Sequence, residues 1–401
     1  MPMDPSSIHL RHGSAKPLHA GHPWVFADAI ERFSGPRPPS GAEVRVVDAR
    51  GQVLGRGYYS PHSAIAVRLL TRGDEPADEA FLARRLAEAL AWREELLGLG
   101  RSTTACRLVH SEGDGLGGFI ADRYGEYICV AFGTAGMEAR REFLLDALQS
   151  RLGPRGILDR GDPAMRRLER LAPPQSAPLR GEAPAGPVEV REDGLTLLAE
   201  LRPGKGQKTG LFLDQRENRR RFGELARGRD VLDLFSYTGG FALHAARGGA
   251  RSLTLADSSE PALKSAEAQL ARNGFSDADL ICADWPEALR HLRQEKRAFD
   301  LAAVDPPRFA RSREAVRQAL AAYQELNAQA ARLLRPGGLL LTCSCSGSVP
   351  AREFERAVAA GLRQAGKRAA VLERRGAAPD HPVPPGFEQG DYLKCLVLRV
   401  S

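Results

Sequence analysis

Long apolar runs are missing from this 401-residue sequence. No stretch approaches the roughly twenty consecutive apolar residues that a membrane-spanning helix needs. The first residues also lack the layout of a signal peptide, in which a charged segment precedes an apolar one. We therefore expect a cytoplasmic protein that does not enter a membrane.

Cysteine is scarce, and its spacing excludes two kinds of site. The six cysteines are scattered, at Cys106, Cys129, Cys282, Cys343, Cys345 and Cys395. Only Cys343 and Cys345 lie close together, and their Cys-x-Cys spacing matches neither a disulfide framework nor the paired cysteines of a zinc site. We expect reduced thiols and no metal site.

Charge of one sign does not dominate, but there is a basic excess. Fifty-seven Lys and Arg residues against 50 Asp and Glu residues give a net charge of +7. An excess of this size predicts a local basic surface that can meet RNA. Two clusters are candidates for phosphate contacts, namely residues 216–221 and the trio Arg308, Arg311 and Arg313. For residues 219–221, a helix face held by salt bridges is an equally good interpretation.

A strand, a glycine turn and a helix follow one another in residues 230–249. Residues 231–235 are mostly apolar, Tyr237-Thr238-Gly239-Gly240 form the turn, and residues 241–247 have helical spacing. The dinucleotide pattern Gly-x-Gly-x-x-Gly is absent. Asp233 lies in the strand instead, where a carboxylate suits a cationic ligand such as the amino acid part and sulfonium of S-adenosylmethionine (SAM).

Acidic residues end the next two predicted strands as well. Asp257 follows residues 252–256, at a spacing that fits a ribose-binding acid in an α/β nucleotide fold. Asp284 follows residues 280–283 and is a candidate acceptor for the adenine amino group. Each acid alone is a weak signal, because such carboxylates often cap the next helix. The ordered series favours a nucleotide-like ligand.

The fourth predicted strand, residues 300–304, ends in Asp305-Pro306-Pro307-Arg308-Phe309. Two prolines fix the backbone and remove two donors, which makes a stiff ledge on which a flat base can rest. The alternative is that the prolines only stop the strand. We favour the ledge, because it follows the same sheet edge as the acids.

Cys345 lies in the last informative segment, residues 339–347, just after its apolar run. The segment follows a turn predicted at residues 335–338, so it is expected to be a buried strand that enters a polar loop. Residues at the carboxyl ends of such strands line the ligand crevice of open α/β sheets. The alternative is that Cys343 and Cys345 are small buried hydrophobic residues.

These segments carry a family resemblance. Residues 207–349 resemble class I SAM-dependent RNA methyltransferases, and the whole chain resembles the bacterial large-subunit (23S) ribosomal RNA cytosine-C5 methyltransferases. The matching motifs, in order, are His22-Pro23-Trp24-Val25-Phe26, Asp114-Gly115-Leu116-x-Gly118, Lys208-Thr209-Gly210, Leu213-Asp214-Gln215-Arg216, residues 235–241, residues 305–309, residues 344–347, Asp380-His381-Pro382 and Tyr392-Leu393-Lys394.

The resemblance implies an α/β fold with three parts. A small β-rich PUA-like domain (residues 1–74) would bind RNA, a central α+β domain would cover residues 75–187, and a Rossmann-like methyltransferase domain would cover residues 188–401. The residues are compatible with this division. Residues 41–72 alternate apolar and polar positions, residues 81–97 have helical periodicity, and residues 171–187 hold five prolines typical of a linker or surface loop.

The resemblance also implies roles for the residues. SAM would be held by Asp233, Phe235, Ser236, Tyr237, Thr238, Gly239, Gly240, Asp257, Asp284 and Gln215. The RNA substrate would contact Lys208, Arg216, Pro306, Pro307, Arg308 and Phe309. Cys345 would attack C6 of a cytosine, Asp305 would hydrogen-bond its N3 and amino edge, and Phe309 or Tyr237 would stack on the base. Arg308 or Lys208 would favour the thiolate.

The match has one departure, and it leaves alternatives open. Many cytosine-C5 RNA methyltransferases have a second cysteine after the proline motif, used for product release, whereas Arg308 follows Pro307 here. The base that removes the C5 proton is therefore not identified. A uracil-C5 enzyme, a guanine methyltransferase and a non-catalytic RNA-binding assembly factor are the other options. The partner we expect is large-subunit ribosomal RNA, with a homodimer as one open assembly state.

Overall fold

The computed structural model describes residues 5–202, 209–310, 312 and 314–401. These residues form two compact units. The first unit holds the described residues within Met1–Val190, Glu200–Lys205 and Pro379–Gly390. The second holds those within Arg191–Ala199, Gly206–Ala378 and Asp391–Ser401.

The first unit contains two sheets. Its strands are β1 Ser7–Leu10, β2 Trp24–Phe26, β3 Ile30–Ser34, β4 Glu43–Val47, β5 Val53–Tyr59, β6 Ile65–Leu69, β7 Ala105–His110, β8 Phe119–Tyr124, β9 Tyr127–Phe132, β10 Gly156–Asp159 and β11 Arg180–Gly181. Its α-helices are α1 Lys16–His19, α2 Glu79–Ala91, α3 Ala135–Glu138, α4 Arg141–Leu152 and α5 Pro163–Leu168. The six-stranded sheet has the order β2-β6-β5-β4-β1-β3, and the five-stranded sheet has the order β11-β10-β9-β8-β7.

Local sequence patterns account for these elements. In β4, buried Val44 and Val46 alternate with half-buried Glu43 and Arg45, as a strand with one apolar face requires. Helix α2 begins at the N-cap Asp78, whose carboxylate accepts a hydrogen bond from the Phe81 backbone N–H. A π-helical turn, Trp92–Leu96, continues it. The strand-rich prediction for residues 41–72 and the helical prediction for residues 81–97 are confirmed.

Tyr58 of β5 belongs to the core that α2 and the five-stranded sheet share. It is buried there with Phe81 and Leu82, and its hydroxyl donates to the carbonyl oxygen of Ala77 over 2.5 Å. The guanidinium of Arg140 lies 3.6 Å from the ring centroid. A residue of the six-stranded sheet therefore packs into the core of the five-stranded sheet, and removing residues 1–72 would remove it from that core.

The C-terminal stretch Pro379–Gly390 belongs to the first unit. The carboxylate of Asp380 accepts a hydrogen bond from the Arg107 backbone N–H over 2.9 Å, and its carbonyl oxygen accepts one from Arg93 over 2.7 Å. The ring of Phe387 packs against Trp24 with a centroid distance of 4.7 Å. The expected domain over residues 188–401 stays a prediction, and these contacts group Pro379–Gly390 with the first unit. These contacts join residues hundreds of positions apart, which local patterns do not register.

A hairpin of β12 Val188–Glu192 and β13 Leu195–Ala199 precedes the main sheet of the second unit. The other strands are β14 Asp230–Leu234, β15 Ser252–Asp257, β16 Ala278–Cys282, β17 Phe299–Val304, β18 Leu334–Ser344, β19 Ala369–Arg375 and β20 Lys394–Val400. The helices are α6 Arg216–Glu224, α7 Gly240–Arg247, α8 Glu260–Arg272, α9 Trp285–Gln294, α10 Val316–Arg332 and α11 Ala351–Gln364. Within the described residues, no helix is both long and apolar enough to cross a membrane.

Seven strands form the main sheet, in the order β16-β15-β14-β17-β18-β20-β19. Strands β14 to β18 pair in parallel, and β20 pairs antiparallel to both of its neighbours. After β14 the chain moves to β15 on one side and later to β17 on the other. This change of direction makes β14 the switch point of an open α/β sheet, where ligands bind beyond the carboxyl ends of the strands.

The predicted turn at residues 335–338 is wrong. These residues lie inside β18, where the pairing with β17 shifts register between Phe299 and Leu301. Gly337 has φ +81°, which only glycine adopts without strain, so the glycines make an irregularity in the strand instead of ending it. The buried strand predicted to follow, residues 339–344, is confirmed.

Candidate active site

The carboxyl ends of four adjacent strands bring the predicted residues to one edge of the sheet. Leu234 of β14 pairs with Ala256 of β15 and with Val304 of β17, and Val304 pairs with Thr342 of β18. The residues just before or beyond these pairs are Asp233, Asp257, Asp305 and Cys345. Because the strands are parallel and in this register, side chains from distant parts of the sequence meet at one crevice.

The glycine turn, residues 235–240, joins β14 to α7 through unusual backbone conformations. Phe235 and Tyr237 have φ +63° and +48°, in the left-handed region that non-glycine residues rarely adopt. Gly239 has φ +78°, and a Cβ atom added there would lie 2.8 Å from the Cβ of Ala266. Left-handed residues of this kind are costly and concentrate at binding sites. The turn therefore has a constrained backbone of the kind found at binding sites.

Asp257 at the end of β15 holds the glycine turn in place. Its Oδ2 accepts a hydrogen bond from the Tyr237 backbone N–H, and its Oδ1 accepts one from the Ser259 backbone N–H, both over 2.9 Å. Gln269 adds a second brace, because its Nε2 donates to the carbonyl oxygen of Thr238 over 2.7 Å. Sequence reasoning missed Gln269, a polar residue on α8 with no motif around it.

Asp233 has a buried carboxylate oxygen that lacks a partner. Its side chain is 1% exposed, and Oδ2 accepts from the Ala242 backbone N–H over 2.9 Å, whereas Oδ1 has no hydrogen-bond partner in the described structure. Burial, with the charges of Asp305 and Asp257, raises the pKa of this carboxyl to about 7. An unsatisfied buried acceptor is costly. A cationic ligand would satisfy it, which fits the amino acid part of SAM.

Asp284 is placed differently from the other acids. It is exposed, and it is the N-cap of α9, where its Oδ1 accepts from the Glu287 backbone N–H over 3.1 Å. The capping role named as the alternative for such carboxylates is present here. One carboxylate oxygen serves the cap, so contact with an adenine amino group would use the remaining acceptor capacity.

The residues after β17 form the edge opposite the glycine turn. The Asp305 backbone N–H donates to the carbonyl oxygen of Leu234 over 3.4 Å, which ties this edge to β14. Pro306 is buried, whereas Pro307 and Arg308 are exposed. The ring of Phe309 packs against Tyr323 of α10, with a centroid distance of 4.9 Å. Phe309 is therefore partly engaged inside the protein.

Cys343 and Cys345 lie in different environments. Cys343 is 0% exposed, and burial together with its hydrogen bond to Cys395 raises the pKa of its thiol well above the ordinary value. Cys345 is half-buried just beyond β18, and its Sγ lies 3.9 Å from the carbonyl oxygen of Pro306. Only the second thiol is therefore placed beside the prolines.

Tyr323 anchors the loop that carries Cys345, and sequence reasoning missed it. Ser344 donates to the Tyr323 hydroxyl over 2.8 Å, and Ser346 lies 3.0 Å from the same oxygen. The Ser346 hydroxyl also accepts from the Ala310 backbone N–H over 3.3 Å. Since Ser344 and Ser346 flank Cys345, these bonds fix the thiol against the chain that follows the prolines. A buried tyrosine in a long helix gives no sequence signal for this role.

Lys394 at the start of β20 is a second residue not assigned to the site from sequence. Its side chain is buried, and Nζ donates to the carbonyl oxygens of Ser346 over 2.7 Å and of Tyr392 over 2.9 Å. Burial lowers its pKa to about 8, while the charges of Asp391 and Cys345 act in the opposite direction. The motif Tyr392-Leu393-Lys394 was the signal that pointed here.

The basic residues 216–221 are largely engaged within the protein. Arg216 is 0% exposed, and Arg219 forms two hydrogen bonds with Glu192, of 2.8 and 2.7 Å. Further ion pairs join Arg220 to Asp193, and Arg221 to both Glu224 and Glu373. The structure favours the salt-bridged helix face over an RNA surface.

The remaining predicted residues lie next to α6, in the glycine turn, or outside the described residues. Gln215 is buried next to α6, where it accepts a hydrogen bond from Asn218 over 2.7 Å. Ser236 lies buried in the glycine turn, and its hydroxyl has no partner in the described part of the chain. Thr238 donates to the carbonyl oxygen of Gly210 over 2.7 Å. Lys208, Arg311 and Arg313 lie outside the described residues.

Comparison with known proteins agrees with this geometry. Residues 8–72 match the model of the PUA-like domain, and residues 167–397 match that of the S-adenosylmethionine-dependent methyltransferases. Ribosomal RNA large subunit methyltransferase I of Shewanella denitrificans is 39% identical over 98% of this chain and 99% of its own length. The enzyme of the same name from Shewanella amazonensis is 40% identical, with the same coverage. The chain belongs to the ribosomal RNA large subunit methyltransferase I family.

Solved structures show the same fold over the full length. A protein from Streptococcus mutans described as a SAM-dependent methyltransferase is 20% identical and matches with a TM-score of 0.82, over 98% of this chain and 99% of its own. A second, described as a methyltransferase in complex with SAH, is 21% identical with a TM-score of 0.84 and the same coverage. The predicted family, fold class and SAM cofactor are confirmed.

Proposed function

We propose that this member of the family methylates C5 of a cytosine in large-subunit ribosomal RNA, through a transient bond between Cys345 and C6 of the base. The observation that carries the proposal is the position of Cys345. It is the half-buried thiol beyond β18, 3.9 Å from the carbonyl oxygen of Pro306, whereas Cys343 is fully buried. A nucleophile must be reachable by its substrate, and this thiol is.

The chemistry follows from the weakness of C5 as a nucleophile. The Cys345 thiolate adds to C6, and the electron pair of the C5=C6 bond becomes available at C5. When bound, SAM supplies the electrophilic methyl group that C5 accepts. A base then removes the C5 proton, the C–H electron pair restores the C5=C6 bond, and the C6–S bond breaks to return the thiolate. The reaction yields a methylated base and regenerates the enzyme.

Asp305 is the residue that we assign to the Watson–Crick edge of the base. Directly beyond β17, it is half-buried and in line with Asp233 and Cys345 at the same sheet edge. As a carboxylic acid it would donate its proton to N3 and accept a hydrogen bond from the amino group, and the donated proton would balance the negative charge that develops on the ring after attack at C6. Pro306 and Pro307 would support the base, which must leave its stack to reach this edge.

SAM would occupy the crevice between the glycine turn and the ends of β15 and β16. The carboxylate of Asp233 would bind its amino group, Asp257 its ribose hydroxyls and Asp284 its adenine amino group. Phe235, Ser236, Tyr237, Thr238, Gly239 and Gly240 would line the cradle, and Gln215 would contribute to the same site. Two observations support this arrangement, namely the partnerless Oδ1 of Asp233 and the partnerless hydroxyl of Ser236.

The RNA side of the proposal rests on the relatives and on the exposed basic residue beside the prolines. The curated relatives are named for ribosomal RNA of the large subunit. Arg308 is exposed directly after Pro307, where its guanidinium can meet a phosphate next to the target base. Lys208 is a further candidate for this contact, whereas buried Arg216 would act by supporting the fold. A ribosomal RNA substrate places the reaction in the cytoplasm.

Mass mapping of ribosomal RNA tests the proposal. RNA from cells that lack the gene would be incubated with the purified enzyme and SAM, digested and analysed by mass spectrometry. We expect one new methyl group in large-subunit RNA, on a cytosine and at C5. A methyl group on uracil or guanine would assign one of the other base chemistries, and no methyl group on any base would overturn the proposal.

A further inference from the structure

Lys394 is buried at the point where the Cys345 loop meets β20. The residue is 6% exposed, and β18 and β20 fix its position, because Ser344 pairs with Lys394 across the antiparallel ladder. Its Nζ donates to the carbonyl oxygen of Ser346, the residue after Cys345, over 2.7 Å. The ammonium group is therefore held at the base of the loop that presents the thiol.

A buried ammonium group is expensive unless a negative charge compensates it. The two hydrogen-bond acceptors of Lys394, in Ser346 and Tyr392, are neutral carbonyl oxygens. The negative charges that favour the charged form of Lys394 come from Asp391 and from Cys345 as a thiolate. By reciprocity, the charged lysine favours the thiolate of Cys345.

We propose that Lys394 is the cation that holds Cys345 in its thiolate form, which rests on the proposed role of Cys345 as nucleophile. When the Cys345 thiol becomes a thiolate, only its S–H bond breaks. The thiol proton leaves to solvent, the electron pair stays on sulfur, and Lys394 keeps its own protons. Lys394 acts through Cys345 and need not touch the RNA.

Other charged and titratable groups lie near Lys394 and the Cys345 loop. They influence how strongly Lys394 favours the thiolate. The charge of Arg308 lowers the pKa of Lys394, but Arg308 is exposed and therefore screened by water and salt. Asp391 favours the charged form of Lys394, and Asp305 raises the pKa of the neighbouring Cys343 thiol. Tyr323 is a neutral hydroxyl that Ser344 and Ser346 already engage. Lys394, by contrast, is a buried positive charge at the base of the Cys345 loop.

The pH dependence of thiol alkylation tests the proposal without RNA or SAM. The full-length protein, with exposed Cys282 replaced by Ala, would be treated with iodoacetamide across a range of pH, and the Cys345 peptide quantified by mass spectrometry. We expect Lys394→Gln to move the midpoint of alkylation upward by about one pH unit or more, so that the rate near neutral pH falls roughly tenfold. Lys394→Arg keeps the positive charge and should stay close to the parent protein.

Lys367 offers a matched control in the same unit. Its Nζ donates to the carbonyl oxygen of Leu334 over 3.3 Å, away from the Cys345 loop. Lys367→Gln should leave the midpoint unchanged. An unchanged midpoint in folded Lys394→Gln would overturn the proposal.

A reciprocal measurement decides the matter if the Lys394 variants do not fold. The titration of Lys394 would be followed by NMR in protein with ¹³C-labelled lysine, in the parent and in Cys345→Ser. We expect the midpoint of Lys394 to fall in Cys345→Ser, because the thiolate no longer stabilises the ammonium. An equal midpoint in both proteins would refute the pairing. Neither measurement depends on methylation, so failure of the proposed function would be seen separately in the ribosomal RNA.

Discussion

The carboxylate of Asp257 and the backbone N–H of Tyr237 are joined by a hydrogen bond of 2.9 Å. This bond links the end of β15 to the glycine turn after β14. A single acid therefore has two tasks in the proposed site: it braces the turn, and it offers its remaining acceptor capacity to the ribose. Replacing it removes both contributions.

We expect Asp257→Ala to weaken SAM binding at least tenfold. A hydrogen bond to a charged group is typically worth about 1.5–3 kcal/mol, and about 1.4 kcal/mol corresponds to a factor of ten in affinity. Asp257→Asn keeps one acceptor for the turn and should lie between Ala and the parent protein. Isothermal titration calorimetry with SAM would measure all three, and equal affinities would remove Asp257 from the cofactor site.

Asp233→Asn should separate cofactor affinity from stability. Asn can still accept the hydrogen bond of the Ala242 backbone N–H, but it lacks the buried charge. We expect SAM binding to drop sharply, because the charge that would pair with the amino group is lost. Without SAM, the variant should be more stable than the parent protein above neutral pH.

The sign of this pH effect follows from the raised pKa of Asp233. Its pKa is about 7 in the fold against an ordinary value of 3.8, so its contribution to stability is present in acid and is lost as pH rises from about 4 through about 7. Each pKa unit is worth about 1.4 kcal/mol. Urea unfolding across this range should show the gap in free energy of unfolding between variant and parent growing by a few kcal/mol. A constant gap would contradict the assignment.

The two basic clusters should respond differently to mutation. Arg219→Ala leaves Glu192 buried without its partner, which typically costs about 3–5 kcal/mol. Arg308→Ala removes an exposed guanidinium and should leave the free energy of unfolding nearly unchanged.

For RNA affinity, we expect Arg308→Ala to have the larger effect and Arg219→Ala the smaller one. We expect Arg308→Ala to weaken RNA binding and to reduce the slope of log affinity against log salt, because one phosphate contact is lost. Thermal unfolding and filter binding at several salt concentrations would compare the two variants. Normal RNA affinity and an unchanged salt slope for Arg308→Ala would exclude it from the RNA surface.

The strands and their ends could be predicted because they follow local rules. Asp233 lies in a short apolar strand, Asp257 and Asp305 come at the ends of two others, and Cys345 follows a fourth; parallel pairing then places those strand ends at one edge. The prediction of a turn at residues 335–338 was wrong because glycines also occur in strand irregularities. A pair of glycines looks the same in the sequence whether it makes a turn or a strand irregularity.

The supporting residues could not be predicted because they act over long separations. Tyr323 reaches Ser344, Lys394 reaches Ser346, and Gln269 reaches Thr238, and none of these pairs has a fixed spacing in sequence. Residues 216–221 illustrate the same limit. A run of arginines has one composition whether it faces RNA or pairs with Glu192 and Asp193, and only the fold decides between them.

Covalent trapping tests the central claim, that Cys345 forms the bond to the base. RNA with 5-fluorocytosine at the target would be incubated with SAM and the parent enzyme, Cys345→Ser or Cys343→Ser, and analysed on denaturing gels. Fluorine cannot leave C5 as a proton does, so the adduct should persist after methyl transfer. We expect it in the parent and in Cys343→Ser but not in Cys345→Ser. An adduct in Cys345→Ser but not in Cys343→Ser would move the nucleophile to Cys343, and no adduct in the parent would contradict the covalent mechanism.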